Sequence, residues 1–339
     1  MSVLYRTYRP QKWSEVVGQD AIVSALTDAI TGKRIAHAYL FSGSRGTGKT
    51  SVARILARAV GTAEEDINEI DAASNRGIDD IRHLREHVSV LPFSSTYKVY
   101  IIDEVHMLSK DAWNALLKTL EEPPGHVIFV LATTELDKVP DTIISRCQTF
   151  SFRTPVREVL RKQVTAVAKK EGYTLDAGAG DLIALLGDGS FRDALGMLQK
   201  VISASSDSKI SREEVEKITG APRAELVNTF VEQVIARNAD AALKILGEAD
   251  AGNISMSTFS TLILEKMRYI LLIQHSASSK TSVEERVSPD DWNFISTQAT
   301  LKALTPGILG AFLEATEEIG RARIQTLPLE LAVVNVCQK

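Results

Sequence analysis

A glycine-rich segment from Gly43 to Thr50 has the spacing G-x-x-x-x-G-K-T, which is typical of loops that bind the phosphates of a nucleoside triphosphate. Glycines let successive N–H groups turn towards phosphate oxygens, and the helix that follows adds positive charge at its N-terminus. Lys49 would reach the terminal phosphates, and the Thr50 hydroxyl would ligate Mg²⁺. A chance match in a strand-to-helix turn is the alternative, and the correct apolar flanks count against it. The candidate phosphate-binding residues are Gly43, Arg45, Gly46, Thr47, Gly48, Lys49, Thr50 and Ser51.

Two carboxylates, Asp103 and Glu104, follow another apolar run of the chain. At the end of a buried strand near a phosphate-binding loop, the first acid would organise Mg²⁺. The second would orient and polarise an attacking water, which predicts hydrolysis in addition to binding. An ordinary acidic turn is the alternative, and the upstream loop makes it less favoured. We assign no chemistry to His106, because a lone histidine at such a position is more often a packed or hydrogen-bonding residue.

Thr134 also follows an apolar run, so its hydroxyl would lie at the carboxyl end of a strand, where α/β proteins bind ligands. There it would contact the γ-phosphate or the attacking water. A threonine at a strand end is usually explained by its β-propensity, so this signal is weak by itself.

Five short apolar segments alternate with amphipathic stretches in the first half of the chain, at 38–41, 67–70, 99–102, 127–131 and 149–152. This alternation predicts an α/β fold with a parallel sheet and helices on both faces. After Pro155 the pattern is helical throughout, apart from a polar stretch at 276–288 that we expect to be an exposed loop. The expected domains are an α/β nucleotide-binding domain at 1–155, a small helical domain at 156–220 and an all-helical domain at 221–339.

The composition excludes several classes of protein. A chain of 339 residues with 44% hydrophobic and 24% charged residues is ordinary for two or three globular domains. Its apolar runs are too short to span a membrane and no signal-peptide pattern is visible, so we expect a cytoplasmic protein with no membrane partner. The net charge of −4 argues against a chain wrapped in nucleic acid but allows a local basic surface. The two cysteines, Cys147 and Cys337, cannot form a four-thiolate site, so no zinc site is expected.

Further motifs occur in the first two-thirds of the chain: YRP at 8–10, VVGQ at 16–19, HAYLF at 37–41, IIDEVHML at 101–108, NALLKTLEEPP at 114–124, LATT at 131–134, SRC at 145–147 and GSFRDAL at 189–195. With the phosphate-binding loop they resemble the clamp-loader branch of the AAA+ ATPases, most closely its bacterial gamma/tau family. The C-terminal third carries no comparable signature, and its role is assigned from its position alone.

This resemblance implies an AAA+ domain followed by a helical lid and a helical collar for oligomerisation, with ATP as the nucleotide and Mg²⁺ held by Thr50 and Asp103. Thr134 would be a sensor of the γ-phosphate, and Arg192 a second sensor reaching the nucleotide from the lid. Without the resemblance, Arg192 would be interpreted as a solvated residue paired with Asp193. The residues implied to line the adenine pocket are Tyr8, Arg9, Pro10 and Val17.

The same resemblance implies that Arg146 is an arginine finger supplied to the ATP of a neighbouring subunit. A solvated surface arginine is the alternative. The implied catalytic residues are Lys49, Asp103, Glu104 and Arg146. The implied partners are other clamp-loader subunits in a hetero-oligomeric ring with several copies of this chain, the sliding clamp, and primer–template DNA.

The segment at 69–82 resembles the clamp-loader element whose helix N-terminus follows DNA phosphates. A plain capped helix with solvated arginines is an equally supported explanation. One departure from the family concerns 59–66, which contain no cysteine where family members usually carry a four-cysteine zinc module. Since that module lies outside the ATP site, its absence should spare nucleotide chemistry. The candidate DNA-binding residues are Ser74, Asn75, Arg76 and Arg82.

We therefore expect an ATPase that drives the loading of a sliding clamp onto primed DNA within the bacterial DNA polymerase III holoenzyme, without a polymerase active site of its own. One alternative is another AAA+ DNA motor for branch migration or replication restart, which would be expected to carry a basic C-terminal module that 222–339 do not resemble. The other is a scaffold that binds nucleotide without hydrolysis, against which Glu104 and Arg146 argue.

Overall fold

The computed structural model describes residues 3–74, 84, 86–284, 287 and 289–338. The chain forms two compact units, the first made of 1–160 with 187–196 and the second of 161–186 with 197–339. The domain boundaries expected at 155 and 220 stay a prediction.

Five parallel strands form the sheet of the first unit, and all five predicted strand segments are confirmed. The strands are β1 (Ala38–Ser42), β2 (Ile67–Asp71), β3 (Lys98–Asp103), β4 (Val127–Thr133) and β5 (Gln148–Ser151). They are hydrogen-bonded side by side in the order β2-β3-β4-β1-β5. The central strands β1 and β4 are buried along their whole length, which explains their continuous apolar sequence. Ser42 pairs with Thr133 and Asp71 with Asp103, so the carboxyl ends of these four strands lie along one edge.

Apolar side chains cover both faces of this sheet. Ile102 packs in a core with the helix Lys110–Glu121, whereas its neighbour Ile101 packs in a core with the helix Lys49–Ala59. Alternate residues of a strand point to opposite faces, so a slip of one residue would exchange the two sets of side chains. Burial on both faces therefore fixes the register of the strands and the position of the residues at their ends.

The first unit contains both α-helices and short 3₁₀-helices. The α-helices are Leu4–Thr7, Asp20–Thr31, Lys49–Ala59, Lys110–Glu121 and Asp141–Ile144, and the 3₁₀-helices are Trp13–Glu15, Glu64–Asp66, Val105–Met107 and Leu136–Lys138. Two further helices, Arg157–Lys170 and Phe191–Ala204, belong in part to each unit.

The second unit is helical, as the pattern after Pro155 predicts. Its helices are Ala177–Leu186, Arg212–Thr219, Ala224–Ile235, Ala239–Ala251, Met256–His275, Ser279–Glu284, Pro289–Leu301, Pro306–Ile319 and Leu327–Cys337. The expectation of a loop throughout 276–288 was wrong, because Ser279–Glu284 is helical and buries Val283. The sequence also did not indicate the two-residue parallel pair of Thr174–Leu175 with Lys209–Ile210. No helix in the described part of the chain has both the length and the apolar content to cross a bilayer.

A buried group of charges joins three helices of the second unit. Asp291 accepts from Arg212 Nη1 at 2.7 Å through one oxygen and from Lys266 through the other, and Arg212 Nε also donates to Glu216 at 2.9 Å. Asp291, Lys266 and Glu216 are each at least nine-tenths buried. Removing one member would leave its partner charged and buried, so these residues hold the helix Arg212–Thr219 against the helices that carry Lys266 and Asp291.

A buried carboxylate in the first unit anchors the chain before β3. Asp66 is 2% exposed and accepts backbone N–H groups from Phe93 at 2.6 Å and from Ser94 and Ser95 at 3.0 Å. Burial alone would raise the pKa of Asp66, but these hydrogen bonds overcome it and hold the pKa below the usual value. Asp66 therefore stabilises the fold in its charged form.

Replacing Asp66 by asparagine removes the charge and at least one acceptor while keeping the size of the side chain. We expect Asp66→Asn to lower the free energy of unfolding by about 2 kcal/mol at pH 7, because hydrogen bonds to charged groups contribute more than neutral ones. Since the folded pKa is depressed, this stabilisation is present above the unfolded pKa of about 4 and is lost as pH falls through the folded pKa. Urea unfolding at pH 7 and at progressively lower pH measures both effects.

Glu65→Gln is the matched control, because Glu65 is the exposed neighbour of Asp66. It should change stability little at any pH. Equal losses for the two variants, or a difference that stays constant into the acid range, would contradict the role given to Asp66.

Candidate functional site

The glycines of the phosphate-binding loop take backbone angles that other residues adopt only with strain. Gly43, Gly46 and Gly48 have φ angles of 144°, 73° and 102°. A Cβ atom at Gly46 would lie 1.9 Å from Oγ of Ser190, and one at Gly43 would lie 2.5 Å from the carbonyl oxygen of Phe152. The loop therefore curls tightly against its neighbours, and no side chain fits at Gly43 or Gly46.

Lys49 lies inside this loop, because the helix Lys49–Ala59 begins directly after Gly48. Its Nζ donates to the carbonyl oxygens of Gly43 at 2.7 Å and Ser44 at 2.9 Å, and the residue is 5% exposed. Burial lowers the pKa of the Lys49 ammonium, and the carboxylates of Glu104 and Asp103 act in the opposite direction. The loop thus surrounds a desolvated cation, which suits an anionic ligand such as phosphate.

Thr50 and Asp103 meet although they are far apart in sequence. Thr50 Oγ1 donates to Asp103 Oδ2 at 2.7 Å, and Asp103 Oδ1 accepts the backbone N–H of Glu104 at 3.0 Å. A hydroxyl and a carboxylate are hard oxygen ligands of the kind that Mg²⁺ takes. These two side chains therefore fit the predicted metal site.

The carboxylate of Glu104 is oriented by its neighbours. The backbone of Glu104 has φ 48° and ψ 43°. This left-handed conformation is uncommon for residues other than glycine, and such residues cluster at functional sites. Oε2 of Glu104 accepts from Thr134 Oγ1 at 3.1 Å and lies 3.6 Å from His106 Nδ1. His106 is itself buried, with Nδ1 3.0 Å from Thr133 Oγ1. Glu104 and Thr134 therefore lie together at the edge of the sheet, as their positions after β3 and β4 predict.

Two arginines flank the phosphate-binding loop. Arg9 Nε donates to Ser51 Oγ at 3.1 Å, and burial followed by the charge of Arg54 lowers the pKa of Arg9. The Arg192 guanidinium lies 5.9 Å from the centre of the Tyr5 ring, within range of a cation–π interaction. Its positive charge also adds to the effect of burial on the pKa of Lys49. Arg192 is thus near the loop, while its role as a sensor stays a prediction.

The remaining predicted nucleotide contacts are less defined by geometry. Tyr8 and Pro10 are half-buried, and Val17 is 37% exposed. Arg45 is exposed, whereas Thr47 is buried and donates through Oγ1 to the carbonyl oxygen of Ser44 at 2.9 Å. The lining of an adenine pocket by the first of these residues stays a prediction.

The predicted DNA-binding residues lie mostly outside the described part of the chain, since Asn75, Arg76 and Arg82 are not described. Ser74 is described, and its hydroxyl donates to Asp71 Oδ2 at 2.8 Å. Contact with DNA through these residues stays a prediction.

Arg146 belongs to a different group of contacts from the phosphate-binding residues. Its Nη1 donates to the carbonyl oxygen of Thr142 at 2.7 Å, and its Nη2 donates to Glu121 Oε1 at 2.9 Å. The side chain is 35% exposed. The geometry leaves Arg146 accessible, which an arginine that acts on another subunit requires.

Comparison with known proteins relates this site to bacterial replication proteins. The family model described as DNA polymerase III, delta subunit, matches residues 18–77 and 62–156. The DNA polymerase III subunit tau of Bacillus subtilis is 38% identical over 99% of this chain, and that of Escherichia coli is 38% identical over 82%. The chain belongs to the gamma/tau family of DNA polymerase III subunits. It spans 63% and 46% of the length of these two relatives.

The fold is also that of known AAA+ proteins. The Holliday junction branch migration motor RuvB of Thermotoga maritima superposes with a TM-score of 0.55, covering 74% of this chain and 90% of RuvB. At 20% sequence identity this likeness concerns the fold alone. This gamma/tau family member therefore has an AAA+ α/β domain followed by helical domains, a fold that binds nucleotides.

Two residues near the site were not found by sequence reasoning: Ser190, which packs on Gly46, and Tyr5, whose ring lies 5.9 Å from the Arg192 guanidinium. His106 was expected only to pack or to form hydrogen bonds, and it contacts Thr133 and Glu104. Ser190 lies in the motif that contains Arg192, and His106 lies in the motif that contains Glu104. Their place in those motifs was the available signal, but only the folded chain indicates which partners they meet.

Substitution of Gly46 tests how closely Ser190 approaches the loop. Gly46→Ala should lower the free energy of unfolding by about 2–4 kcal/mol, because backbone strain at positive φ adds to a steric overlap. Gly48→Ala is the matched control, since its φ is also positive but, apart from its chain neighbours, no described residue has an atom within 4 Å of the added Cβ. Gly48→Ala should lower the free energy of unfolding by about 1–2 kcal/mol, from backbone strain alone. Urea unfolding of both variants measures the difference.

A second comparison isolates the overlap. In a Ser190→Gly background, where Oγ and Cβ are absent, Gly46→Ala should cost less than it does in the original chain. Equal costs in both backgrounds would contradict a direct contact between the two residues.

Proposed function

We propose that this chain is an ATP-driven motor subunit of a bacterial sliding-clamp loader, which binds and hydrolyses ATP to open a ring-shaped clamp and load it on primed DNA. The observation that carries the proposal is the joining of Lys49, Thr50, Asp103, Glu104 and Thr134 at one edge of the sheet. Membership of the gamma/tau family supports the clamp-loader setting of this chemistry. Because the chain spans only part of the length of its relatives, the activity of a complete subunit is proposed here and is inferred from this part alone.

The phosphate-binding half of the site acts through Lys49. In this structure the ammonium donates hydrogen bonds to two loop carbonyls. When nucleotide binds, it would donate instead to oxygens of the β- and γ-phosphates. Loop N–H groups and the start of the helix Lys49–Ala59 would bind the remaining phosphate charge. Thr50 and Asp103 would hold Mg²⁺, which would neutralise charge on the phosphates when bound.

The hydrolytic half acts through Glu104. Its carboxylate would orient a water towards the γ-phosphorus and take a proton from it as the bond to the bridging oxygen breaks. Thr134 donates to this carboxylate at 3.1 Å and so restrains its direction. The strained backbone of Glu104 supports the same role, because strain persists where the surrounding structure requires one geometry.

Arg146 extends the proposal from one chain to an assembly. As a finger it would stabilise charge on the transferring phosphoryl group of a neighbouring subunit, so each complete site would need two chains. The proposed partners are other clamp-loader subunits in a ring, the sliding clamp, and primer–template DNA bound through its phosphates by the segment at 74–82. Nucleotide state would then shift the ring between forms with different affinity for clamp and DNA.

The proposal is tested by ATP turnover of this chain assembled with clamp-loader partner subunits. We expect turnover to rise several-fold when the sliding clamp and primed DNA are added together, because their binding would align Glu104 and Arg146 for hydrolysis. A coupled phosphate-release assay measures the rate. If clamp and primed DNA leave turnover unchanged, the proposal is wrong and a different AAA+ activity is favoured.

Two variants separate binding from hydrolysis in the same assay. Glu104→Gln should retain ATP affinity and lose about 10²–10⁴-fold in turnover, as expected for removal of a general base. Lys49→Ala should lose ATP binding itself, measured by fluorescence of a labelled nucleotide. Normal turnover by the Glu104→Gln assembly would show that a group other than Glu104 acts as the general base.

Removal of Arg146 tests the role in a neighbouring site. Arg146→Ala should leave ATP affinity nearly unchanged and lower turnover of the assembly about a thousandfold or more, the usual effect of losing an arginine finger. Arg34→Ala, at an exposed arginine of the same unit, is the control and should turn over normally. Unchanged turnover for Arg146→Ala would remove the finger assignment.

A further inference from the structure

The guanidinium of Arg146 is held at two places on its own chain. Nη1 donates to the carbonyl oxygen of Thr142 at 2.7 Å and lies 3.4 Å from Ser145 Oγ, while Nη2 donates to Glu121 Oε1 at 2.9 Å. Thr142 lies in the short helix Asp141–Ile144, directly before the arginine. Glu121 lies 25 residues earlier, at the end of the helix Lys110–Glu121. Among the described residues, only Glu121 therefore ties the guanidinium to a second element of the fold.

These contacts leave part of the guanidinium available. An arginine side chain has five N–H donors. Three of them point to Thr142, Ser145 and Glu121, and within the described residues no acceptor contacts Nε or the second hydrogen of Nη2. Nε and Nη2 form one side of the planar fork that binds carboxylates and phosphates with two parallel hydrogen bonds. Nε and one N–H of Nη2 are thus left for an anion.

Glu121 is poorly placed for helix stability. The C-terminal end of a helix carries partial negative charge, so a carboxylate there is disfavoured unless a cation compensates it. Arg146 supplies that cation, with the two side chains 35% and 44% exposed. Exposed pairs of this kind contribute little to stability, so the fold does not depend on the contact. A residue that breaks a local preference with little gain in stability points to a functional role.

We propose that Glu121 is a positioning residue for Arg146, which holds the guanidinium so that its Nε–Nη2 side faces the phosphoryl group of a neighbouring subunit. The inference rests on the proposed role of Arg146 as a finger. Glu121 does not touch the nucleotide, and it acts by limiting the directions that the long arginine side chain samples. An arginine already oriented loses less conformational freedom when it meets the transition state.

The test is ATP turnover of the assembled complex with clamp and primed DNA. Glu121→Ala should lower kcat about ten- to a hundredfold, the scale of loss for a misplaced catalytic group, and leave KM for ATP nearly unchanged. Glu121→Gln keeps an oxygen that accepts from Nη2 and should recover most of the loss. Glu122→Ala is the matched control, because Glu122 is the exposed adjacent glutamate and makes no hydrogen bond to Arg146 within the described part of the chain. It should behave like the unaltered complex.

A double-mutant comparison separates positioning from a general structural effect. In an Arg146→Ala background, Glu121→Ala should cause no further loss, because the group that it positions is gone. Thermal unfolding and assembly of Glu121→Ala should match those of Glu122→Ala. The same loss with and without Arg146 would overturn the inference and make Glu121 a structural residue.

The remaining outcomes distinguish this inference from the proposed function. If Arg146→Ala abolishes turnover while Glu121→Ala behaves like Glu122→Ala, positioning by Glu121 is wrong and the finger stands. If Glu121→Ala raises turnover, the contact sequesters Arg146 and the inference is likewise overturned. If Arg146→Ala itself has no effect, the finger assignment fails and the inference falls with it.

Discussion

A buried ammonium group determines how the phosphate-binding loop is built. Lys49 has lost nearly all contact with water, and burial lowers its pKa, so its charge depends on the oxygens around it. Two of those oxygens are carbonyls of the loop, at Gly43 and Ser44. For these carbonyls to face Nζ, the chain must turn with positive φ at its glycines, where a side chain would be strained or would overlap a neighbour. The glycine spacing thus follows from the need to surround a buried cation, which under the proposed function would bind phosphate.

The sheet provides the second constraint, because it decides which carboxylates lie near enough to act on the charge of Lys49. Burial on both faces fixes the register of β1, β3 and β4, and their carboxyl ends therefore line up. Thr50 reaches Asp103, and Thr134 reaches Glu104, across that common edge. The proposed metal-ligating and water-orienting groups are in this way positioned by the packing of apolar residues one or two positions away from them.

Under the proposed function, one chain contributes to two different sites. Lys49, Thr50 and Glu104 belong to its own nucleotide, whereas Arg146 is anchored separately through Thr142 and Glu121. A finger anchored on its own chain can be oriented before the neighbour arrives, which lowers the entropic cost of completing the site. Dependence of hydrolysis on assembly would then follow from the geometry of a single exposed arginine.

The sequence by itself determined the local structure of this protein. Strand positions, the phosphate-binding loop and the carboxylates after β3 are encoded within a few neighbouring residues, through apolar patterning, glycine spacing and charge. The tertiary structure alone decided that Ser190 closes on Gly46, that His106 lies beside Glu104, and that Glu121 holds Arg146. At least two elements of the fold separate the two residues of the first pair and those of the third pair. His106 and Glu104 are close in sequence, but His106 also contacts Thr133 at the end of β4. Such contacts depend on the path of the whole chain, because the packing of distant apolar residues, and no local pattern, brings these residues together.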